Sequence, residues 1–192
     1  MFAEVLRQHL GSVVEVSNVQ ITQLEKHFHL LQRWNKVLNL TSVHGIEEII
    51  ERHYCESLFL AKHLPTGTLR VADIGSGAGF PGLPVAVLRP DCDVTLIESH
   101  QRKSVFLREA SRDFPNVNVI SKRAESIDAR FDWAVSRAVK YSDIEESASL
   151  IADQLGLLAG AQPPPGKCFT WNTIQLPWGN ARYLWLGSKC FT

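Results

Sequence analysis

The stretch VADIGSGAGFPG, residues 71–82, places four glycines within eight positions directly after a short apolar run. A run of strand length that ends at Asp73 and then gives up side chains at Gly75, Gly77, Gly79 and Gly82 predicts a buried strand and a tight turn into a helix. The next residues, GLPVAVLRP, carry the apolar spacing of that helix. A turn so bare lets something come close to its backbone. In open α/β sheets, ligands bind beyond the carboxyl ends of the strands, where this turn would lie.

The flanking sequence sets the architecture. Upstream, Ile21, Leu24, Phe28, Leu31 and Leu38 recur near a period of 3.6, and Ser17 with Gln20 predicts a capping box that opens this helix. MFAEVLRQHLGSVVEV reads as an earlier helix, and residues 46–64 as an amphipathic one stopped by Pro65. After PTGT the texture changes. LRVADI, VTLIES, NVNVIS and FDWAVSRA predict strands, separated by GLPVAVLRP, QRKSVFLREASRD and a shorter helical piece starting near Ala124. LGLLAGA and RYLWLG predict two more strands, while QPPPGKCFTWNTIQLPWGN between them has no assignment. This alternation predicts an α/β fold: a Rossmann-like sheet, mostly parallel and covered on both faces, with an antiparallel last strand. Residues 1–65 are expected to form an N-terminal helical extension packed on the core, and 66–192 the domain that carries the turn.

Composition narrows the function classes. The 192 residues carry 20 basic and 20 acidic side chains, so charge alone would not coat this protein onto nucleic acid. Cys55, Cys92, Cys168 and Cys190 stand far apart and form no Cys-x-x-Cys pair, as expected of reduced thiols. The seven histidines have no metal-ligand spacing, and no metal is expected. No apolar run reaches the ~18 residues of a membrane span, and the N-terminus does not read as a secretion signal. A cytoplasmic monomer without membrane contact is the expectation. Arg102, Lys103, Arg108, Arg112, Lys122, Arg123 and Arg130 crowd one span and read first as solvated helix faces.

The glycine spacing selects among ligands. A dinucleotide fingerprint starting at Gly75 would need its third glycine at position 80, which is Phe80. No lysine follows to make a phosphate loop. Asp73-x-Gly-x-Gly-x-Gly suits a ligand without phosphates. Glu98, at the tip of the second strand, can accept two hydrogen bonds from ribose hydroxyls. Ala124 and Glu125, after the third strand, offer a backbone amide and a carboxylate to an adenine. Each feature has a plain structural reading, as a helix cap or a first-turn acid. Three such stations in order at successive strand ends fit S-adenosylmethionine.

RWNKVLNLTSV, RHYCESL, VADIGSGAGFPGLPVAVLRP, VTLIES with RKSVFLRE, RAE and VSRAV occur in the order of one family. Over about residues 20–145 the chain resembles the ribosomal RNA small subunit methyltransferase G family, also called glucose-inhibited division protein B. The resemblance implies methylation of a guanine N7 in small-subunit (16S) ribosomal RNA, with S-adenosylmethionine as donor. The RNA, or a pre-ribosomal particle, is the implied partner. It further implies that Gly75, Phe80, Ala124, Glu125 and Arg137 contact the cofactor. Asp73, Gly77, Gly79 and Glu98 join them from the logic above. No catalytic side chain is expected, because guanine N7 has a free lone pair and no proton has to leave. RNA would be held by the basic span and by the helices carrying Arg33, Trp34, Lys36, Arg52 and His53, although a tryptophan at helical spacing is more often core. After about Leu158 the chain departs from the family pattern, and no site residue is assigned there. Another methyl acceptor (transfer RNA, protein or a small molecule) and a non-catalytic nucleoside-binding module remain alternatives. Phe80 argues against a nicotinamide oxidoreductase.

Overall fold

Ser17 opens the longest helix as its sequence predicts. Its Oγ accepts from the Gln20 amide at 3.3 Å, and Gln20 Oε1 accepts from the Ser17 amide at 2.8 Å. The computed structural model describes residues 1–162 and 164–190. Helix α1 (Phe2–Leu10) precedes this capped helix, α2 (Asn18–Leu38), which ends at Asn39 in the left-handed conformation. The next helix is continuous but not uniform. Helix α3 (Ile46–Ile49) widens into a π-helical stretch (Ile50–Cys55) and then runs on as α4 (Glu56–His63). The sequence reads as amphipathic here, yet Tyr54, Cys55, Glu56, Ser57, Leu58 and Leu60 are all buried. The cause is tertiary: α4 packs against α5 (Gly82–Leu88) and against the sheet at its fifth strand, so even its polar side is covered.

Five parallel strands follow: β1 (Arg70–Ile74), β2 (Asp93–Ile97), β3 (Val117–Ile120), β4 (Trp133–Arg137) and β5 (Gln154–Gly160). A hairpin of β6 (Phe169–Gln175) and β7 (Arg182–Lys189) completes a seven-stranded sheet in the order β3-β2-β1-β4-β5-β7-β6. β7 runs antiparallel to β5, and β6 antiparallel to β7. The chain builds outward from β1 to β3, then returns to place β4 on the other side of β1. That reversal leaves a crevice at the carboxyl ends of β1 and β4.

Alternate residues of each strand feed two cores. Val71, Trp133 and Val135 face a large cluster shared with the N-terminal helices, α5 and α6 (Gln101–Ala110). Ala72, Ile74 and Ala134 face a smaller cluster with α7 (Glu145–Ile151). Both faces are covered, which is why these strands read as nearly continuous apolar runs.

Three local expectations differ from what is observed. The helical piece expected near Ala124 is a single 3₁₀ turn, Ala124–Ser126. Helix α7 has no reading in the sequence, because EESASLI is only 7 residues long and spans barely two turns of periodicity. Strand β6 lies in the unassigned segment. It is an edge strand whose polar positions stay partly exposed, and the prolines, glycines and tryptophans around it mask its alternation. The hairpin loop returns to the N-terminus: Trp178 Nε1 donates to the His9 carbonyl at 2.8 Å, and its ring meets Phe59 edge-on. Trp178→Ala is therefore expected to cost about 3–5 kcal/mol in urea unfolding. A change below about 1 kcal/mol would show that the hairpin does not lean on the helices.

Candidate functional site at the carboxyl edge of the sheet

The glycine turn is folded on itself. The amides of Gly75 and Ser76 donate to the Ile97 carbonyl at 2.9 and 3.1 Å, and those of Gly79 and Phe80 to the Ser76 carbonyl at 2.7 and 3.1 Å. The Gly77 amide donates to Glu98 Oε2 at 2.9 Å, and the Gly82 amide to Asp73 Oδ2 at 2.9 Å. A pyrophosphate cradle needs such N–H groups free. Here they are spent inside the protein, so the turn is not built to hold an anion.

The close neighbours of these glycines are in large part protein. Gly75 has φ 72°, and a Cβ there would stand 2.7 Å from the Val139 methyl. At Gly82 a Cβ would run into the Asp73 carboxylate and Leu96. The tight helix–strand contact that the dinucleotide fingerprint assigns to its third glycine is thus made by Gly82. A Cβ at Gly77, which has φ 54°, would meet only the Gly75 carbonyl, at an ordinary 3.7 Å.

Asp73 was expected at the ligand and lies beneath the turn instead. It is fully buried, holds the Gly82 amide, and leaves Oδ1 without a partner. Burial pushes its carboxyl up to about 7, against the opposing pull of its hydrogen bonds. Phe80 also faces inward. Its ring stacks on His53 at 4.8 Å and meets Tyr54 and His27 edge-on at 5.0 and 5.2 Å. The residue that departs from the dinucleotide pattern is the one that anchors the turn to the helices. Glu98 sits at the end of β2 as expected. Its two oxygens accept from the Gly77 and His100 amides at 2.9 and 2.7 Å, which leaves one further acceptor position on each.

Ala124 and Glu125 line a hollow of about 170 Å³ with Gly75, Ile97, Ser99 and Val139. On the other side of Val139 opens a cleft of about 610 Å³, lined by Thr41, Arg52, His53, Arg137, Val139 and Arg182 among others. Val139 is common to both and stands between them. It follows Ala138, a non-glycine residue at φ 59°, where backbone strain is stored.

Arg137, at the end of β4, is half-buried and 3.5 Å from Glu56 Oε2. Glu56 also receives Arg182 of β7 at 3.0 and 2.7 Å. One buried carboxylate from α4 therefore holds two guanidiniums at the rim of the cleft. Burial lowers Arg137 from its ordinary value, and Arg182 and Arg52 push the same way. His53, with Nε2 2.7 Å from Thr41 Oγ1, is pushed down to about 3 by burial and by Arg137, and is neutral at ordinary pH. Glu56, Arg182 and Val139 were not foreseen as site residues. Arg182 in particular comes from the C-terminal part to which no role was given, and nothing in a local pattern shows that the start of β7 brings it to the Glu56 carboxylate that Arg137 of β4 shares.

The turn is fixed from behind by His27. The Ala78 carbonyl can only accept, so His27 Nε2 donates to it at 3.0 Å, and Nδ1 then accepts from the Tyr54 hydroxyl at 2.8 Å. Trp34 is half-buried against Phe106. Among the described residues, no group of three His, Cys, Asp or Glu could hold a metal ion, and no helix is long and apolar enough to cross a membrane.

A family model described as rRNA small subunit methyltransferase G (GidB) matches residues 20–156. The chain is 37% identical over 150 residues to the ribosomal RNA small subunit methyltransferase G of Chromobacterium violaceum, covering 76% of this chain and 70% of that one. It is 40% identical over 148 residues to the protein of that name from Halorhodospira halophila, covering 76% and 68%. With the Nitrosomonas europaea protein of that name, at 41% identity, the match spans 67% of this chain but only 60% of the relative. Among solved structures, a methyltransferase from Pyrococcus furiosus superposes with a TM-score of 0.56 at 15% identity, covering 87% of this chain and 98% of that one. A mutant of MtNAS in complex with S-adenosylmethionine superposes with 0.60 at 18% identity, covering 88% and 72%. These likenesses show the fold.

The His27 bridge sets a pH dependence. Burial holds this imidazole at about 4, against 6.5 in the unfolded chain. Its contribution to stability is thus present above pH 6.5 and is lost as the pH falls toward 4. His27→Gln keeps a donor for Ala78 and an acceptor for Tyr54 but cannot titrate. Between pH 7 and 4.5 the difference in Tm should move steadily in favour of the variant. A difference that stays constant would refute the assignment.

Proposed function

The chain belongs to the rRNA small subunit methyltransferase G family, and from that membership and this site we propose that it is an S-adenosylmethionine-dependent methyltransferase acting on N7 of a guanine in small-subunit (16S) ribosomal RNA. The observation that carries the proposal is the order of features along the carboxyl edge. Gly77, where a Cβ would meet only the Gly75 carbonyl at 3.7 Å, Glu98 with its two remaining acceptor positions, and the Ala124–Glu125 hollow stand at β1, β2 and β3. The arginine-rimmed cleft opens on the β4 side, with Val139 at the junction.

The residues present fit the cofactor. Glu98 takes the ribose hydroxyls, at about 1.5–3 kcal/mol for hydrogen bonds to a charged group. Ala124 and Glu125 take the adenine, and the backbone of the turn at Gly75 and Gly77, beside Val139, meets the amino-acid end. Arg137 lies beside it across the junction. Gly79, Asp73 and Phe80 act through the turn: Asp73 holds Gly82, and Phe80 ties the turn to His53, Tyr54 and His27. S-adenosylmethionine supplies a methyl group on a sulfonium, which is already a good leaving group.

The protein's part is then positioning. Guanine N7 offers a lone pair, so no general base is required, and neutral His53 is not asked to take a proton. The helical segment 1–65 forms one wall of the acceptor cleft, and residues 66–192 hold the donor. Working on small-subunit RNA or a pre-ribosomal particle, the protein acts in the cytoplasm, as a monomer and without metal.

Tritiated cofactor offered with small-subunit particles and with 16S RNA should label a guanine at N7. Label found only in transfer RNA, protein or small molecules would reject the proposal. Glu98→Ala should weaken S-adenosylmethionine binding about tenfold to a hundredfold in calorimetry. An unchanged Kd would remove the ribose assignment.

A further inference from the structure

The cleft beside Val139 is the end of a longer depression. A hollow of about 650 Å³ between α2 and α6 is lined by Lys26, His29, Arg33 and Arg112 among others. It shares His29 and Arg33 with a second hollow of about 630 Å³, which also takes in Lys36 and His44. The second shares Thr41 and Val43 with the cleft that holds Arg52, Arg137 and Arg182. Lys26, His29, Arg33 and Lys36 are spaced by 3, 4 and 3 residues and are all exposed, so they form one stripe along α2, about 15 Å long at 1.5 Å per residue.

Charge is segregated along this depression. The chain has as many acids as bases, yet no carboxylate lines the second hollow or the cleft. Among the described residues, Arg33 and Lys36 form no ion pair. Carboxylates meet the path at three places: at the far end, where Lys26 meets Asp113 at 3.9 Å; at Arg52, which Glu48 pairs at 3.3 Å from one turn back on its own helix; and behind the cleft, where Glu56 is buried. The wall between the second hollow and the cleft is rigidly held. Asn35 on α2 donates to the Thr41 carbonyl at 3.1 Å and accepts from the Thr41 amide at 2.9 Å, while Thr41 Oγ1 meets His53. A continuous concave path of cations, with fixed walls, suits a flexible polyanion whose charges repeat along its length.

We propose that this path, from Arg33 and Lys36 over the Thr41 rim to Arg52 and Arg182, is the track along which the sugar–phosphate backbone of a single-stranded segment of the substrate RNA reaches the Val139 junction. The proposal rests on the function given above and adds the route and the residues. The phosphates lie against the α2 stripe and Arg52, and the base enters the cleft. Recognition along the stripe is by charge and is independent of base identity.

The test compares Arg33→Gln/Lys36→Gln/Arg52→Gln with a control that removes as many cations away from the path and the basic span, Lys62→Gln/Arg70→Gln/Lys189→Gln. Filter binding of labelled protein-free 16S RNA is followed from 50 to 200 mM KCl. The track variant should bind at least tenfold more weakly at 50 mM, and its slope of log K against log salt should be smaller by about two. The control should match the wild type, and both variants should keep its S-adenosylmethionine affinity in calorimetry. Wild-type affinity and slope in the track variant would overturn the proposal, as would an equal loss in the control. Intact 16S binding with lost methylation of assembled particles would also overturn it, because the stripe would then dock a ribosomal protein. Failure of the wild type itself to methylate any RNA would count against the proposed function, whatever the variant does.

Discussion

The bridge from Tyr54 through His27 to the Ala78 carbonyl is the interaction on which the rest of this molecule depends. A glycine turn of this kind has little stiffness of its own. Here its amides are turned inward to Ile97, Ser76, Glu98 and Asp73, and its outer limb is held by an imidazole from α2. Phe80 adds ring contacts to the same helices. The N-terminal helices are therefore the back wall of the glycine turn. They bring to the sheet edge the two groups that shape the cleft beside Val139, the Thr41 rim and the Glu56 carboxylate.

Glu56 shows how burial organises charge at that edge. Two guanidiniums converge on a single buried carboxylate, and a third, Arg52, stands close enough to push on Arg137 electrostatically. Leaving buried charges unpaired costs several kcal/mol, so the two cations are fixed in place by their shared partner. The outcome is a rim at which Arg137 and Arg182 are paired from behind by Glu56 and Arg52 by Glu48 of its own helix, with no carboxylate lining the cleft itself. Arg182 reaches this rim from β7, which ties the divergent C-terminal hairpin to the site. Trp178 ties the same hairpin to α1.

Much of this was legible in one dimension. The capping box at Ser17, the strand from Arg70 into the glycines, the acid at the tip of β2 and the parallel sheet with an antiparallel last strand all follow from local rules, and all are present. The glycines were read correctly as sites of close approach, but their neighbours were not. Val139, Leu83 and Asp73 occupy space that the bare sequence leaves open for a ligand. Asp73 looks like a ligand group in sequence because it precedes the turn. A strand residue facing the helical layer is buried there, and its carboxylate serves the helix that follows. Strand β6 and helix α7 escaped because one is a partly exposed edge and the other too short to show a period.

The sequence by itself determined most of the elements, their order and the placing of Gly77, Glu98 and Ala124–Glu125 at the ends of β1, β2 and β3, since each depends on residues within a few positions of one another. Only the tertiary structure decided what lies on the far side of Val139. The cleft is assembled from the turn after α2, the π-helical stretch, the end of β4 and the start of β7, which are separated by tens of residues in the chain. Its positive character arises because Glu56 is drawn beneath the surface while Arg52, Arg137 and Arg182 remain at the rim. Balanced composition hides such a segregation of charge, because it comes from which side chains the packing buries and which it leaves facing out.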